Sequence, residues 1–415
     1  MNRRIPSLRR LSVAPLIAIA MLGSESLTPS AAAAATYYVA KNGSNNHSCS
    51  SAQSTSAPKL TIKSGLSCLK AGDTLFIRAG TYGEAIYNPP SGSSWSSPVT
   101  ISAYSGESVT VKPGSSTPVN LAYQGSSLRY IIFNGITFDA GRASKHAANL
   151  DGVNYGTSVR YIRFRNCEFK NATTSGILSG RGANFLEFIG CKVHDNGSST
   201  NYDHGLYLQS SDSLIERCDI YNNKSAGVHI YTGISGDSTN RNIVRKNRVH
   251  HNKHGVILGS GDGNSASNNL IYNHPSHGIM LGFNSTNGKL YNNTVYQNGG
   301  EGIQIRSASS NTSVRNNISY RNGMANIPNY AGSRTTLSNN FTTDPKFVNA
   351  SSGDFHLQSG SAAINRGTTI SGMSDDYEGT YRPTGGSYDI GADEYSTSNA
   401  TSLPSAPTNL QVSIQ

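Results

Sequence analysis

Short segments in which apolar and polar residues alternate recur along most of the chain. Six of them begin with a glycine followed by an aliphatic residue, and successive glycines are 22 to 29 residues apart. Alternation of period two predicts β-strands rather than helices, and a repeat of about 20–30 residues indicates a solenoid of stacked β-coils. The six glycines are Gly176, Gly205, Gly227, Gly255, Gly278 and Gly302.

A second motif follows these segments and places cysteine or asparagine at the same position of successive coils. Stacked coils are ~4.8 Å apart, so these side chains should form a ladder. Asparagine can hydrogen-bond to its neighbours there, and cysteine packs as a small apolar residue. A buried structural role is therefore predicted for the three thiols. The ladder comprises Cys167, Cys191, Cys218, Asn247, Asn269, Asn293 and Asn317.

The pattern predicts an all-β, single-stranded parallel β-helix of about nine coils with a cap at each end. The first coils should supply strands at residues 74–78, 99–104, 109–112, 119–123 and 130–138. The resulting rod would be roughly 40–50 Å long. Residues 36–340 are assigned to the β-helix with its N-terminal cap, 341–395 to a C-terminal cap, and 396–415 to a flexible tail or linker.

Residues 1–35 have the order of a secretory signal: a basic start, an apolar run at 11–22, and small residues before a cleavage site near Ala35. The protein is therefore expected to be secreted, extracellular or periplasmic. A disulfide between Cys49 and Cys68 is plausible in an exported chain. No segment has the ~20 apolar residues of a membrane span.

Charge gives a weaker indication of the partner. The chain has 34 basic and 24 acidic residues, and the signal holds four arginines and one glutamate, which leaves 30 against 23, or +7. A basic secreted protein suits an acidic polysaccharide, although a solvated basic surface explains the charge equally well. Without a Lys/Arg cluster or a binding motif, nucleic acid is not expected as a partner. A monomer is expected.

Three further stretches add a resemblance to a known family. Tyr37-Tyr-Val-Ala-Lys-Asn-Gly and Ala71-Gly-Asp-Thr-Leu-Phe-Ile-Arg resemble the opening of exported bacterial β-helix proteins. Asp389-Ile-Gly-Ala-Asp-Glu-Tyr resembles the terminal segment called choice-of-anchor Q. With the repeats, they resemble the pectin-lyase-like superfamily, which implies a right-handed helix. That superfamily includes lyases, hydrolases, epimerases and inert fibres, so the resemblance leaves the reaction open.

Alternation also predicts which side chains point out of the rod. Leu206 and Leu208 should point inward, so Tyr207 and Gln209 should point outward. Carrying this register through the coils gives two outer columns, in which the glycines should leave room for a ligand. One column is Asn120, Asn149, Leu178, Tyr207, His229, Ile257, Met280 and Gln304, and the other is Ala122, Asp151, Gly180, Gln209, Tyr231, Gly259, Gly282 and Arg306.

The turn before these strands is rich in histidine and charge. His204, His254 and His277 each directly precede a strand glycine, so they should stack along one edge. These histidines could be plain turn residues, or they could hold a metal ion. Side chains stacked in a line do not suit a tetrahedral metal site, so whether a metal binds is left unknown. Tyrosine, histidine and lysine together suit a sugar chain with carboxylates. The predicted substrate-binding residues are Asn149, Asp151, Asp203, Gln209, Tyr231, Lys253, His254, His277, Gln304 and Arg306.

A lyase that cleaves a uronate polymer by β-elimination is the first functional hypothesis. It needs a base at C5 and groups that neutralise the sugar carboxylate. His229 or Tyr207 is expected as the base, with Lys224 and Lys253 for the carboxylate. The predicted catalytic residues are His229, Tyr207, His204 and Lys224.

Three alternatives stay open. A glycan-binding or cell-surface protein would use the same groove without a base. A C5-epimerase is indicated by Asp203 and His204, which resemble part of the Asp-Pro-His-Asp motif of alginate epimerases, although the proline and the final acid are missing. A hydrolase would need converging carboxylates, of which the columns hold only Asp151. Ca²⁺ is possible at Asp262 or at residues 375–376, which also fit turns.

Overall fold

The computed structural model describes residues 33–121, 127–151, 158–233 and 239–396. Within these residues the chain winds into a parallel β-helix, and successive coils add strands to three long sheets, here named A, B and C. Residues 1–32 of the predicted signal, Ala122 of the second column and residues 397–415 of the predicted tail lie outside the described residues.

Sheets A and B carry the longest runs of paired strands. In the described residues sheet A has twelve strands: β1 Thr36–Val39, β2 Thr74–Ile77, β5 Val99–Ala103, β8 Leu128–Asn134, β11 Val159–Arg165, β14 Ala183–Ile189, β17 Leu214–Glu216, β20 Ile243–Arg245, β23 Ser265–Ser267, β26 Lys289–Tyr291, β29 Thr312–Arg315 and β31 Thr335–Ser338. Sheet B has ten there: β3 Gly80–Tyr82, β6 Val109–Val111, β9 Ile136–Asp139, β12 Glu168–Lys170, β15 Lys192–His194, β18 Asp219–Tyr221, β21 Arg248–His250, β24 Leu270–Tyr272, β27 Thr294–Tyr296 and β30 Ile318–Tyr320.

Sheet C contains the strands whose outward residues form the two columns predicted from the sequence. Its strands in the described residues are β4 Ile86–Tyr87, β7 Val119–Asn120, β10 Ala148–Asn149, β13 Ile177–Ser179, β16 Leu206–Leu208, β19 Ala226–Ile230, β22 His254–Asp262, β25 Ile279–Thr286 and β28 Ile303–Ile305. These nine strands confirm the prediction of about nine coils. All neighbouring strands in the three sheets pair in parallel.

One predicted strand was wrong. Residues 130–138 form two strands, β8 and β9, which belong to different sheets. Gly135 lies between them with φ of 69°, a left-handed conformation that glycine adopts without steric cost. The turn from sheet A to sheet B therefore contains a single residue outside the strands. So short a turn does not interrupt the apolar pattern of the sequence.

The interior of the rod is apolar and ordered in rows. Inward side chains of successive coils stack on one another, and the rings of Phe133, Phe164 and Phe188 lie parallel with centroids 4.9 and 5.4 Å apart. All three are fully buried. This repeated stacking along the axis is what fixes the register of every coil, because a shift of one residue would turn the apolar row outward.

The predicted ladder is confirmed. Cys167, Cys191 and Cys218 are buried free thiols, and Cys218 accepts the backbone N–H of Cys191 at its sulfur (3.4 Å). Each ladder asparagine accepts the backbone N–H of the rung before it, from Cys218 to Asn247 (2.9 Å) up to the last rung, where Asn317 donates to Asn340 (3.0 Å).

A second internal ladder was not predicted from the sequence. Asn196, Asn223, Asn252 and Asn298 occupy equivalent turns, and His274 takes the place of an asparagine between the last two. The His274 ring accepts the N–H of Asn252 at Nδ1 (3.2 Å) and its Nε2 lies 3.1 Å from the carbonyl oxygen of Val249. This histidine is therefore structural.

Caps cover the rod at each end. At the start, the short helix α1 (Ile62–Leu66) contacts β1 and β2, and Cys49 and Cys68 form the disulfide thought plausible from the sequence. After β31, a short antiparallel pair, β32 (Phe347–Asn349) and β33 (Asp354–Leu357), belongs to a turn-rich segment. Among the described residues, 3₁₀ turns lie at Ser51–Gln53, Gly332–Arg334 and Ala350–Ser352. None of the helices in the described ranges is long and apolar enough to cross a membrane.

Candidate functional site on the outer face of sheet C

The outer face of sheet C aligns the predicted first column in one row. Strand pairing sets Asn120 beside Asn149, and Tyr207 beside His229. The row continues through Ile257 and Met280 to Gln304. The register deduced from period two is therefore the observed one, and chemistry on this face depends on which neighbours interact.

A pair of histidines forms the centre of the row. His204 Nε2 lies 3.0 Å from His229 Nδ1. The backbone N–H of Ala226 donates to His204 Nδ1 (3.2 Å), so that nitrogen carries no proton. His204 therefore holds its proton on Nε2 and donates it to His229, which must carry its own proton on Nε2. One backbone amide thus fixes the tautomer of both rings.

Both rings are neutral over the physiological range. Burial, together with a smaller contribution from neighbouring histidines, lowers the pKa of His204 to about 2 and the pKa of His229 to about 4. His204 is 4% exposed. His229 Nε2 is shielded from water and has no hydrogen-bond partner among the described residues. The pair therefore presents an unsatisfied N–H donor.

Two tyrosines flank His229. The ring of Tyr207 stacks on it with centroids 5.3 Å apart, and the ring of Tyr231 stacks on it at 5.4 Å with an angle of 7°. The Tyr207 hydroxyl accepts a hydrogen bond from Gln209 Nε2 (3.2 Å). The half-buried rings form one aromatic row, which we call the Tyr–His cluster together with His204 and Gln209.

The predicted floor of small residues is filled rather than open. A Cβ added to Gly180 would lie 1.9 Å from the carboxylate of Asp151, and one on Gly259 would lie 3.0 Å from the Tyr231 ring. At Gly282 the side chain of Arg306 lies 2.4 Å from the added Cβ. Neighbouring coils are close enough for a side chain of one coil to lie over a glycine of the adjacent coil. The space above these glycines is therefore occupied by protein side chains and is not available to a ligand.

The predicted row of three histidines is also divided. His254 and His277 stack with centroids 5.5 Å apart, but the coil between His204 and His254 has Ala226 at this position. The small alanine leaves His204 free to turn towards His229. Ala226, Ile257 and Met280 form a buried apolar cluster, and Ile257 and Met280 lie in the row between His229 and Gln304.

Other predicted residues have local partners. Asp203 is 5% exposed, and its carboxylate accepts the backbone N–H groups of Ser198 and Ser199 at 2.8 and 2.5 Å, so it stabilises a turn. Lys253 Nζ donates to Asn201 (2.9 Å). Lys224 is exposed, and its ammonium group has no partner within the described ranges. Asn149 accepts the backbone N–H of Asp151 (3.2 Å).

A second polar group lies at the later coils, around a depression of about 360 Å³. Its lining includes His277, Gln304, Arg306 and Tyr330. Beneath them Glu301 is 3% exposed, and its carboxylate accepts hydrogen bonds from the Tyr330 hydroxyl (2.5 Å) and from Gln304 Nε2. Burial lowers the pKa of His277, whose Nδ1 accepts the N–H of Glu301 (3.2 Å).

Sequence reasoning missed two aromatic residues of this surface. Tyr330 lies in the last coil, which lacks the glycine-aliphatic motif that marked the other strands of sheet C. Phe283 is an extra residue in β25, because two residues oppose one between β22 and β25. This β-bulge directs Phe283 outward, 5.2 Å from the Tyr231 ring and 4.6 Å from the Arg306 guanidinium. The additional residue in Leu281-Gly-Phe-Asn, against Leu258-Gly-Ser, was the available signal.

The described residues hold no group of three or more His, Cys, Asp or Glu arranged to bind a metal ion. Asp262 accepts hydrogen bonds from Thr286 and Asn287. Asp376 accepts three backbone N–H groups in a turn. Of these carboxylates, proposed from the sequence as possible Ca²⁺ ligands or turn residues, Asp376 therefore stabilises a turn and Asp262 contacts side chains of the next coil.

Comparison with known proteins agrees with this architecture. The sequence matches the family model described as right handed beta helix region over residues 198–342. The structure of pectate lyase Pel9A is similar over 88% of this chain and 97% of that chain, with a TM-score of 0.69 and 17% sequence identity. The chain has the pectin-lyase-like right-handed parallel β-helix fold. The complex of XylC with xylose is similar over 86% of this chain and 98% of that chain (TM-score 0.52, 11% identity). No curated protein sequence matches this β-helix chain.

Proposed function

We propose that this protein is an exported lyase that cleaves a uronate-containing polysaccharide by β-elimination at the Tyr–His cluster. The observation that carries the proposal is the tautomer-locked histidine pair beside Tyr207 on the outer face of sheet C. The fold shared with a pectate lyase favours a polysaccharide substrate, and the positive charge of the chain favours an acidic one.

The tautomers divide the roles between the two base candidates. His229 holds a proton on Nε2, so in this state it donates a hydrogen bond and takes no proton from C5. A neutral imidazole of lowered pKa can act as an electrophile, and here it would bind the sugar carboxylate once the side chains that shield Nε2 have moved. Tyr207 is left as the base, and His204 is a positioning residue.

The proton on C5 passes to the ionised oxygen of Tyr207, the electron pair forms the C4=C5 double bond, and the C4–O bond breaks. The leaving oxygen takes a proton from water or from Tyr207. Lys224 and Lys253, on the turn before the cluster, would neutralise part of the carboxylate charge.

The test is the ultraviolet absorbance of the new double bond, measured on several polyuronates with Ca²⁺ and with chelator. Tyr207→Phe should abolish the signal. His229→Gln, which keeps an N–H donor, should retain more activity than His229→Ala. Tyr221→Phe, an outer aromatic residue of sheet B, is the matched control and should behave as wild type.

Equal loss in the two His229 variants would indicate a base rather than a donor at this position. A flat trace on every polymer would refute the lyase. Glycan binding without cleavage is the second candidate, favoured because the stacked rings of Tyr207, His229 and Tyr231 offer a surface on which sugar rings can pack without a base. Retained polymer binding with a flat trace would support it.

A further inference from the structure

The depression near Arg306 contains groups that the proposed reaction does not use. Its centre lies three coils from His229, about 14 Å along the rod at ~4.8 Å per coil. Three features converge there: a cation without an acidic partner, a buried acceptor without a donor, and an exposed aromatic ring.

The cation is Arg306. Its guanidinium lies 4.6 Å from the Phe283 ring and its Nη1 is 3.8 Å from the Met280 sulfur. No carboxylate forms an ion pair with it among the described residues. The aromatic ring and the sulfur hold the planar group in place while its outer N–H donors stay available. Such a fork matches a carboxylate in a bidentate manner.

The acceptor is Gln304 Oε1. The Glu301 carboxylate accepts a hydrogen bond, and only the NH₂ group of the Gln304 amide can donate one. The NH₂ group therefore faces Glu301, and Oε1 faces away from Glu301. The oxygen is buried and has no donor in the described structure, a condition that costs free energy until a hydroxyl or water donates. The Glu301 carboxylate also holds the Tyr330 hydroxyl, and Tyr330 is 56% exposed.

We propose that this depression is a binding subsite for one uronate unit of the polymer. Arg306 pairs with the sugar carboxylate, Gln304 Oε1 accepts a sugar hydroxyl, and the Tyr330 ring packs against the sugar face. Buried Glu301 positions Gln304 and Tyr330 and does not contact the sugar. The subsite rests on the proposed acidic polysaccharide substrate. It gives the polymer a second contact with the protein, several sugar units from the reacting bond.

The test measures binding separately from cleavage, by calorimetry with short oligogalacturonates, oligomannuronates and their carboxyl-reduced neutral counterparts. Arg306→Gln should weaken binding of the charged probe by about tenfold or more and leave the neutral probe unchanged. Arg321→Gln removes the same charge from a guanidinium over Tyr320, outside sheet C, and should bind as wild type. Tyr330→Ala should weaken binding of both probes.

The outcomes separate this proposal from the lyase. Equal binding by Arg306→Gln and Arg321→Gln, or an unchanged KM of Arg306→Gln in the absorbance assay, would overturn the subsite and leave the lyase intact. Arg306-dependent binding with no absorbance change would support the subsite and refute the lyase. Absence of binding to every charged probe by the wild type would overturn the subsite, and activity alone would then decide the lyase.

Discussion

Removing one side chain of the asparagine ladder should lower the free energy of unfolding by an amount that follows from its hydrogen bonds. Asn293 is fully buried. Its Nδ2 donates to the Ala266 carbonyl and to Asn317 Oδ1, both at 2.9 Å. Its Oδ1 accepts from Asn269, at 3.2 Å from the backbone nitrogen and 2.9 Å from Nδ2. Asn293→Ala removes all four bonds and leaves buried polar groups on both neighbouring coils without partners.

At about 1 kcal/mol for each net hydrogen bond, the variant should lose about 4 kcal/mol of unfolding free energy. Asn293→Cys should lose about half as much, because this ladder already contains thiols that make the equivalent bonds weakly. Cys218 donates to the Phe188 carbonyl (3.3 Å) and accepts the Cys191 N–H (3.4 Å).

The assay is urea unfolding followed by circular dichroism, with the slope m compared to confirm that the same surface unfolds. Asn201→Ala is the control, since Asn201 is exposed and its side chain accepts a hydrogen bond from the exposed end of Lys253; it should change stability by no more than about 0.5 kcal/mol. If Asn293→Ala lies within about 1 kcal/mol of this control, the ladder does not stabilise the rod as argued.

Three further predictions concern stability. Burial lowers the pKa of His274 to about 3, below the ~6.5 of an unfolded histidine; its neutral ring therefore contributes stability above pH ~6.5 that is lost as pH falls towards 3. The unfolding midpoint of the wild type should drop more steeply between these pH values than that of His274→Asn, and parallel curves would contradict this. Reducing the Cys49–Cys68 disulfide, which closes 19 residues, should cost about 3 kcal/mol by loop entropy, measured by unfolding with and without reductant; no change would show that the cap does not depend on it. Arg382→Ala leaves Glu394 buried without its guanidinium partner (2.6 Å) and should destabilise by about 3–5 kcal/mol, whereas a thermal midpoint equal to that of exposed Arg241→Ala would refute the role of the pair.

The sequence by itself determined the coil architecture, because its determinants are local and repeated. Period-two alternation decides which side chains enter the core, and stacking of equivalent residues sets the register. The column containing Tyr207 and His229 and the ladder ending at Asn317 could therefore be read from the amino-acid order. The division of residues 130–138 into two strands escaped that reading because one glycine makes the turn.

Only the tertiary structure decided the chemistry of the face. The tautomer of His229 depends on the Ala226 amide acting through His204. The space above Gly282 depends on where the Arg306 side chain lies, one coil away. Tyr330 reaches Glu301 from the last coil, whose sequence lacks the glycine-aliphatic motif. These relations join residues of different coils through side-chain conformation, and side-chain conformation leaves no periodic signal in the sequence because it is set by packing between coils.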